Sequence, residues 1–66
     1  MNKYEIIRAL ENGSSITFNK GGNYEKTFSK KEGKYYWLNN GSWSPSYIDV
    51  MDKIEKQYEK FTIGGY

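Results

Sequence analysis

No cysteine occurs in this chain of 66 residues, and this restricts the fold more than any other feature. A domain so short buries only about 60% of its unfolded surface, and small folds usually gain stability from disulfides or a structural metal. Disulfides and thiolate metal sites are excluded here, so the fold depends on a noncovalent core. Aliphatic residues are few, whereas the chain has seven Tyr, three Phe and two Trp. We expect a single domain over residues 1–66 with an aromatic-rich core, and the sparse apolar supply favours a homodimer.

The first half of the chain predicts a helix followed by short antiparallel strands. Asn2 is a good N-cap, and Glu5 three positions later completes a capping box, so a helix is expected over residues 3–12. Alternating apolar residues between turns rich in Gly, Asn and Lys indicate strands joined as hairpins. The predicted strands are 15–19, 24–29, 34–38 and, briefly, 42–43.

A second helix is predicted from Ser44 to residue 60 or 61. Ser44 fits the N-cap and Pro45 fits the first helical position, where its missing N–H does no harm. Trp43 and Ile48 then form a hydrophobic staple. An apolar stripe at helical spacing follows, with Ile54 at its centre and predicted to be buried; its members are Tyr47, Met51, Ile54, Tyr58 and Phe61.

These elements predict a small α+β fold in the order α-β-β-β-(β)-α. An antiparallel meander of three or four strands has one face to cover, and an N-terminal and a C-terminal helix are available to cover it. Residues 63–66 are expected to form a loose tail. The chain contains no transmembrane run and no signal peptide, and lack of cysteine is typical of reducing compartments, so we expect a cytoplasmic protein that does not contact a membrane.

The residue types that most catalytic sites need are absent or lie on predicted exposed faces. The chain has no His, which excludes a Ser–His–Asp triad. Gly21-Gly22 lacks the Lys-Ser/Thr and the helix that a phosphate-binding loop requires. Asp49 and Asp52 share a predicted helix face, but acids in a first turn usually complement the helix dipole. We therefore expect no enzyme activity, no metal site and no cofactor.

The third strand is the most informative segment because it is apolar on both faces. Tyr36 and Leu38 point one way, and Tyr35 and Trp37 point the other. Because Leu is more at home in a core than Tyr, we predict that Tyr35 and Trp37 face away from the helices. A basic excess lies nearby, since residues 20–34 carry five Lys against two Glu. The predicted binding residues are Tyr35, Tyr36, Trp37, Lys20, Lys26, Lys30, Lys31 and Lys34.

The sequence allows three other interpretations of this segment. Each helix could cover one face of the strand, the outer face could be a homodimer interface, or the lysines could serve only to keep exposed hairpins soluble. Lysines beside exposed aromatics also suit nucleic acids and nucleotides, since bases stack on Tyr and Trp while Lys contacts phosphate.

The absence of catalytic chemistry and the excess of large aromatics together indicate a non-catalytic binding protein. Lys, Asn, Ile and Tyr, whose codons are rich in A and T, make up 28 of the 66 residues, whereas Arg, Ala and Pro occur once each. This bias favours a bacteriophage or mobile-element gene from an AT-rich genome. The expected function is to occupy a surface of a host protein, as an inhibitor of a host enzyme or defence system. The alternative is a small nucleic-acid or nucleotide binder that uses the aromatic and lysine residues of the sheet.

Overall fold

An N-terminal capping box starts the first helix as the sequence predicts. In the computed structural model, which describes residues 2–64, α1 covers Lys3–Glu11. The Asn2 side chain accepts the Glu5 N–H at 3.0 Å, and the Glu5 carboxylate accepts the Asn2 N–H at 3.3 Å. The pair satisfies two N–H groups that a helix start leaves without partners. Ile6 and Leu10, one turn apart, are fully buried on the inner side of this helix.

A five-stranded antiparallel sheet follows α1. Strands β1 (Ile16–Phe18), β2 (Lys26–Lys31), β3 (Lys34–Asn39) and β4 (Ser42–Pro45) form a meander. After the helix α2 (Val50–Gln57) and a 3-10 turn (Tyr58–Lys60), the chain adds β5 (Phe61–Ile63) beside β1. The strand order in the sheet is β4-β3-β2-β1-β5. The predicted α+β fold with a meander and two helices is confirmed.

Tight turns join β2 to β3 and β3 to β4. In both turns the two central residues have positive φ: 53° and 78° at Glu32 and Gly33, and 52° and 82° at Asn40 and Gly41. Such turns match the right-handed twist of the flanking strands. Asn and Gly tolerate this conformation, so the Asn40-Gly41 turn determines that Asn39 pairs with Ser42.

The predicted start of the second helix was wrong. Ser44 and Pro45 belong to β4, and α2 begins at Val50 with Asp49 as its N-cap, whose carboxylate accepts the Asp52 N–H at 3.1 Å. The signal misled because Pro suits an edge strand as well as a helix start. Ser46 donates its N–H to the Tyr35 carbonyl at 3.0 Å, so the nitrogen of the preceding proline faces the outer edge of the sheet, where no donor is needed.

The C-terminal segment also differs from the prediction. The helix ends at Gln57, and Phe61, expected on its apolar stripe, lies in β5 with its ring centroid 5.3 Å from that of Phe18. Of the predicted tail, Ile63 lies in β5 and Gly64 donates its N–H to the Ser15 carbonyl at 2.7 Å. Residues 65 and 66 lie outside the described residues.

The core lies between the two helices and one face of the sheet. Its fully or nearly fully buried members are Ile6, Leu10, Ile16, Phe18, Phe28, Val50, Ile54 and Phe61. Ile54 is buried as predicted, whereas Tyr47 is 97% exposed in the segment before α2, so its assignment to the stripe was wrong. The aromatic part of the core consists of the three Phe, and Tyr and Trp residues pack only around it. No helix in residues 2–64 is long and apolar enough to cross a membrane.

Candidate functional site

The register of β2 and β3 decides which face of the sheet each aromatic residue occupies. Trp37 lies opposite Phe28, a core residue, and Tyr35 lies opposite Lys30 on the same face. Both Tyr35 and Trp37 are half-buried and pack against the core. The prediction that they face away from the helices was therefore wrong. Because β3 is apolar on both faces, its own alternation could not decide its orientation, which follows instead from its pairing with Phe28.

The opposite face of the sheet, which we call the helix-free face because α1 and α2 pack on the other side, carries a second apolar cluster. In register, Tyr36 lies opposite Pro45, and Leu38 lies opposite Trp43. Ser46 donates its N–H to the Tyr35 carbonyl, so the backbone hydrogen bonds between β3 and β4 join the pairs that alternate with these two. The two pairs on the helix-free face are therefore non-hydrogen-bonded pairs, in which cross-strand side chains approach most closely. Trp43 is 41% exposed, whereas Tyr36 and Leu38 are half-buried. We call these four residues the aromatic patch.

Small hydroxyl residues occupy the β1–β2 half of the helix-free face. Thr17 donates its hydroxyl to the Gly64 carbonyl at 2.9 Å and lies 3.0 Å from the Thr27 hydroxyl. A Thr hydroxyl has one proton, so with the Thr17 proton directed at Gly64, Thr27 is the donor to Thr17. Both threonines are buried. This chain of hydrogen bonds ties β2, β1 and the end of β5 together.

A groove of about 790 Å³ connects the hydroxyl half of the face to the aromatic patch. Its lining residues are Gly13, Ser14, Ser15, Ser29, Lys30, Lys31, Tyr36, Trp43 and Gly64. Glycines and serines form one end, and two aromatic rings form the other. The Ser15 hydroxyl is buried and has no hydrogen-bond partner within residues 2–64. Such a groove suits a ligand that offers both an apolar group and a hydrogen-bonding group.

The predicted lysines divide between the two faces. Lys26 lies over the Trp37 ring at 5.1 Å, and Lys30 lies over the Tyr35 ring at 5.3 Å. Lys30 also donates to Glu11 at 2.6 Å, and this hydrogen bond raises the pKa of the Lys30 ammonium above its usual value. Lys31 and Lys34 lie opposite each other on the helix-free face, and Lys20 is exposed in the loop between β1 and β2.

The structure thus brings together only part of the predicted set. Tyr36, Lys31 and Lys34 share the helix-free face, whereas Tyr35, Trp37 and the Lys26 ammonium belong to the other side. Trp43, Pro45, Leu38, Ser15 and Ser29 were not predicted as site residues. A signal for the first three existed: a two-residue Asn40-Gly41 turn pairs 38 with 43 and 36 with 45. The assignment of Ser44-Pro45 to a helix start obscured it.

The arrangement offers recognition chemistry. Within residues 2–64 no three His, Cys, Asp or Glu side chains lie together in a way that could hold a metal ion. The groove presents aromatic rings, hydroxyls and ammonium groups, which can stack, donate hydrogen bonds and attract anions. Comparison with known protein families, curated proteins and solved structures finds no match for this chain.

Proposed function

We propose that this chain is a non-catalytic protein-binding domain that binds its partner through the helix-free face. The observation that supports this most strongly is the aromatic patch of Tyr36, Leu38, Trp43 and Pro45 beside the groove. Tyr and Trp are enriched among residues that contribute most to protein–protein affinity, because each buries a large area at small entropic cost. Leu38 and Pro45 add aliphatic surface, which a protein partner can cover better than a stacked base can.

The distribution of lysines favours a protein partner over a nucleic acid. Affinity for nucleic acid comes largely from many phosphate contacts. Of the five predicted lysines, Lys26 and Lys30 lie against rings of the other face, and Lys30 is paired with Glu11. Lys31 and Lys34 remain as the cations beside Tyr36.

Composition alone supports the wider biological setting that we propose. The AT-rich codon bias fits a bacteriophage or mobile-element protein that acts in the cytoplasm of a bacterial host, as an inhibitor of a host enzyme or defence system. A homodimer through the same face is a variant of this proposal, because a small domain with few apolar residues would gain stability from the area buried between two copies.

Site-specific photo-crosslinking tests the proposed face. Benzoylphenylalanine replaces Tyr36 in one protein, Tyr35 in a second and Tyr4 in a third, and each is irradiated in nuclease-treated lysate of an AT-rich bacterium. Tyr35 is a matched half-buried neighbour that faces the core, and Tyr4 is 65% exposed on α1. We expect protein adducts from position 36 alone. Adducts from position 4 with none from position 36 would contradict the proposal, and an adduct only with a second copy would identify the homodimer.

A further inference from the structure

We infer that the partner presents an acidic polypeptide segment whose carboxylates lie against Lys31 and Lys34 and whose apolar side chain packs on Tyr36 and Trp43. This inference rests on the proposed function, because it names the chemistry of the partner at the same face. Three features of the helix-free face lead to it: its positive charge, the position of that charge beside the aromatic patch, and the serines that line the groove.

The charge of the face is positive. Lys31 and Lys34 are opposite each other in register, and like charges directly opposite on a sheet repel. Neither lysine forms an ion pair within the part of the chain that the structure describes. Glu32, in the turn between them, is exposed and forms none there either. An anion placed between the two ammonium groups would convert their repulsion into two attractive contacts.

This basic pair adjoins the aromatic patch. Tyr36 is two positions beyond Lys34 on β3, so both side chains point to the same side of the sheet. Lys31 and Tyr36 both line the groove, together with Trp43. A ligand in the groove that reaches Lys31 therefore also contacts the rings, and a segment that combines acidic and apolar side chains fits both.

The hydroxyl end of the groove can hold a polypeptide backbone. The buried Ser15 hydroxyl has no partner within residues 2–64, and Ser14 and Ser29 line the groove beside it. A buried hydroxyl without a partner is costly. Ser14 is exposed, so its hydroxyl can donate to a main-chain carbonyl or a carboxylate of the bound segment.

Charge argues against a second copy as the occupant. On the strands of the helix-free face there is no Asp or Glu to meet Lys31 and Lys34 of another copy. A twofold pairing centred on Lys31 and Lys34 would therefore bring four ammonium groups together, with one exposed carboxylate, Glu32, in each adjoining turn. An acidic partner lacks this conflict, and electrostatic complementarity of this kind raises association rates and specificity.

Selection of displayed random peptides on the immobilised full chain tests the inference without knowledge of the natural partner. Selected peptides are synthesised and measured against three variants: Tyr36→Ala, its matched control Tyr35→Ala, and Lys31→Glu combined with Lys34→Glu. We expect acidic peptides with an aromatic or large aliphatic residue. The charge reversal should weaken their binding by about tenfold or more, because two attractive contacts become repulsive. Lys31→Gln with Lys34→Gln replaces the reversed variant if circular dichroism shows that the latter is unfolded.

The other outcomes separate the two proposals. Neutral or basic peptides that need Tyr36 but not the lysines would overturn the acidic partner and leave the proposed face standing. Peptides that bind equally well to Tyr36→Ala, or no selected peptide at all, would overturn both. Binding of an oligo-dT strand that is lost on charge reversal, with no acidic peptide selected, would overturn the inference in favour of nucleic acid.

Discussion

The direction of the hydrogen bonds between Thr17, Thr27 and Gly64 predicts that two similar substitutions, Thr17→Val and Thr27→Val, lower the free energy of unfolding by different amounts. In Thr17→Val, the buried Thr27 hydroxyl loses its acceptor and the Gly64 carbonyl loses its donor. A buried polar group without a partner costs about 1–3 kcal/mol. Gly64 is only partly buried, so water can serve its carbonyl, and most of the loss comes from Thr27. We therefore expect Thr17→Val to reduce the free energy of unfolding by about 1–3 kcal/mol.

Thr27→Val is expected to cost less. In this variant Thr17 still donates to Gly64, so no buried donor is left without an acceptor. Only one hydrogen bond is lost, with a net value of about 0.5–1.5 kcal/mol. The double variant should be more stable than Thr17→Val alone, since it leaves no hydroxyl without a partner. Urea denaturation of the four proteins, with equal m-values, gives the double-mutant cycle. Additive losses, or a larger loss for Thr27→Val, would refute the direction of this hydrogen-bond chain.

Four further substitutions test the fold. Ile54→Ala, in the centre of α2 and fully buried, should lower the free energy of unfolding by about 2–5 kcal/mol, and an unchanged thermal melt would contradict its place in the core. Asp49→Ala removes the N-cap of α2 and should cost about 1 kcal/mol in urea denaturation. Ser44→Ala should change the free energy of unfolding by less than about 0.5 kcal/mol. A larger loss for Ser44→Ala than for Asp49→Ala would show that Ser44 caps the helix. Tyr24 is 87% exposed with a φ of 59°, so Tyr24→Gly should stabilise the protein. Relief of about 1–2 kcal/mol of strain exceeds the entropic cost of Gly, and a lower melting temperature would contradict this.

Local signals predicted the N-terminal helix and the hairpin of β3 and β4 well, whereas the strand expected at 24–29 lies two residues later, at Lys26–Lys31. The capping box of Asn2 and Glu5 depends on residues three positions apart, and the Asn40-Gly41 turn depends on two adjacent ones. Such interactions are complete within a short segment, so the sequence carries the whole signal. The Ser44-Pro45 motif failed because the same two residues suit an edge strand, and pairing with β3 stabilises that state.

The parts that sequence could not predict depend on contacts between distant segments. β5 forms because Phe61 pairs with Phe18. Phe, Thr and Ile all favour strands, but three residues are too few to outweigh the helical spacing that Phe61 continues. The orientation of β3 follows from the pairing of Trp37 with Phe28. The site was therefore predicted at the right strand but with the wrong aromatic set, since alternation identifies two faces without saying which one the helices cover.

The two tryptophans lie on opposite faces of the sheet and provide the most direct test of the proposed binding face. Trp37→Phe leaves Trp43 as the reporter of the helix-free face, and Trp43→Phe leaves Trp37 as the reporter of the helix-bearing face. Acrylamide quenching is measured on each protein, free and saturated with a selected peptide, with saturation verified by anisotropy of the labelled peptide. We expect the bound peptide to reduce quenching of Trp43 and to leave quenching of Trp37 unchanged. Protection of Trp37 with no change at Trp43 would contradict binding at the helix-free face.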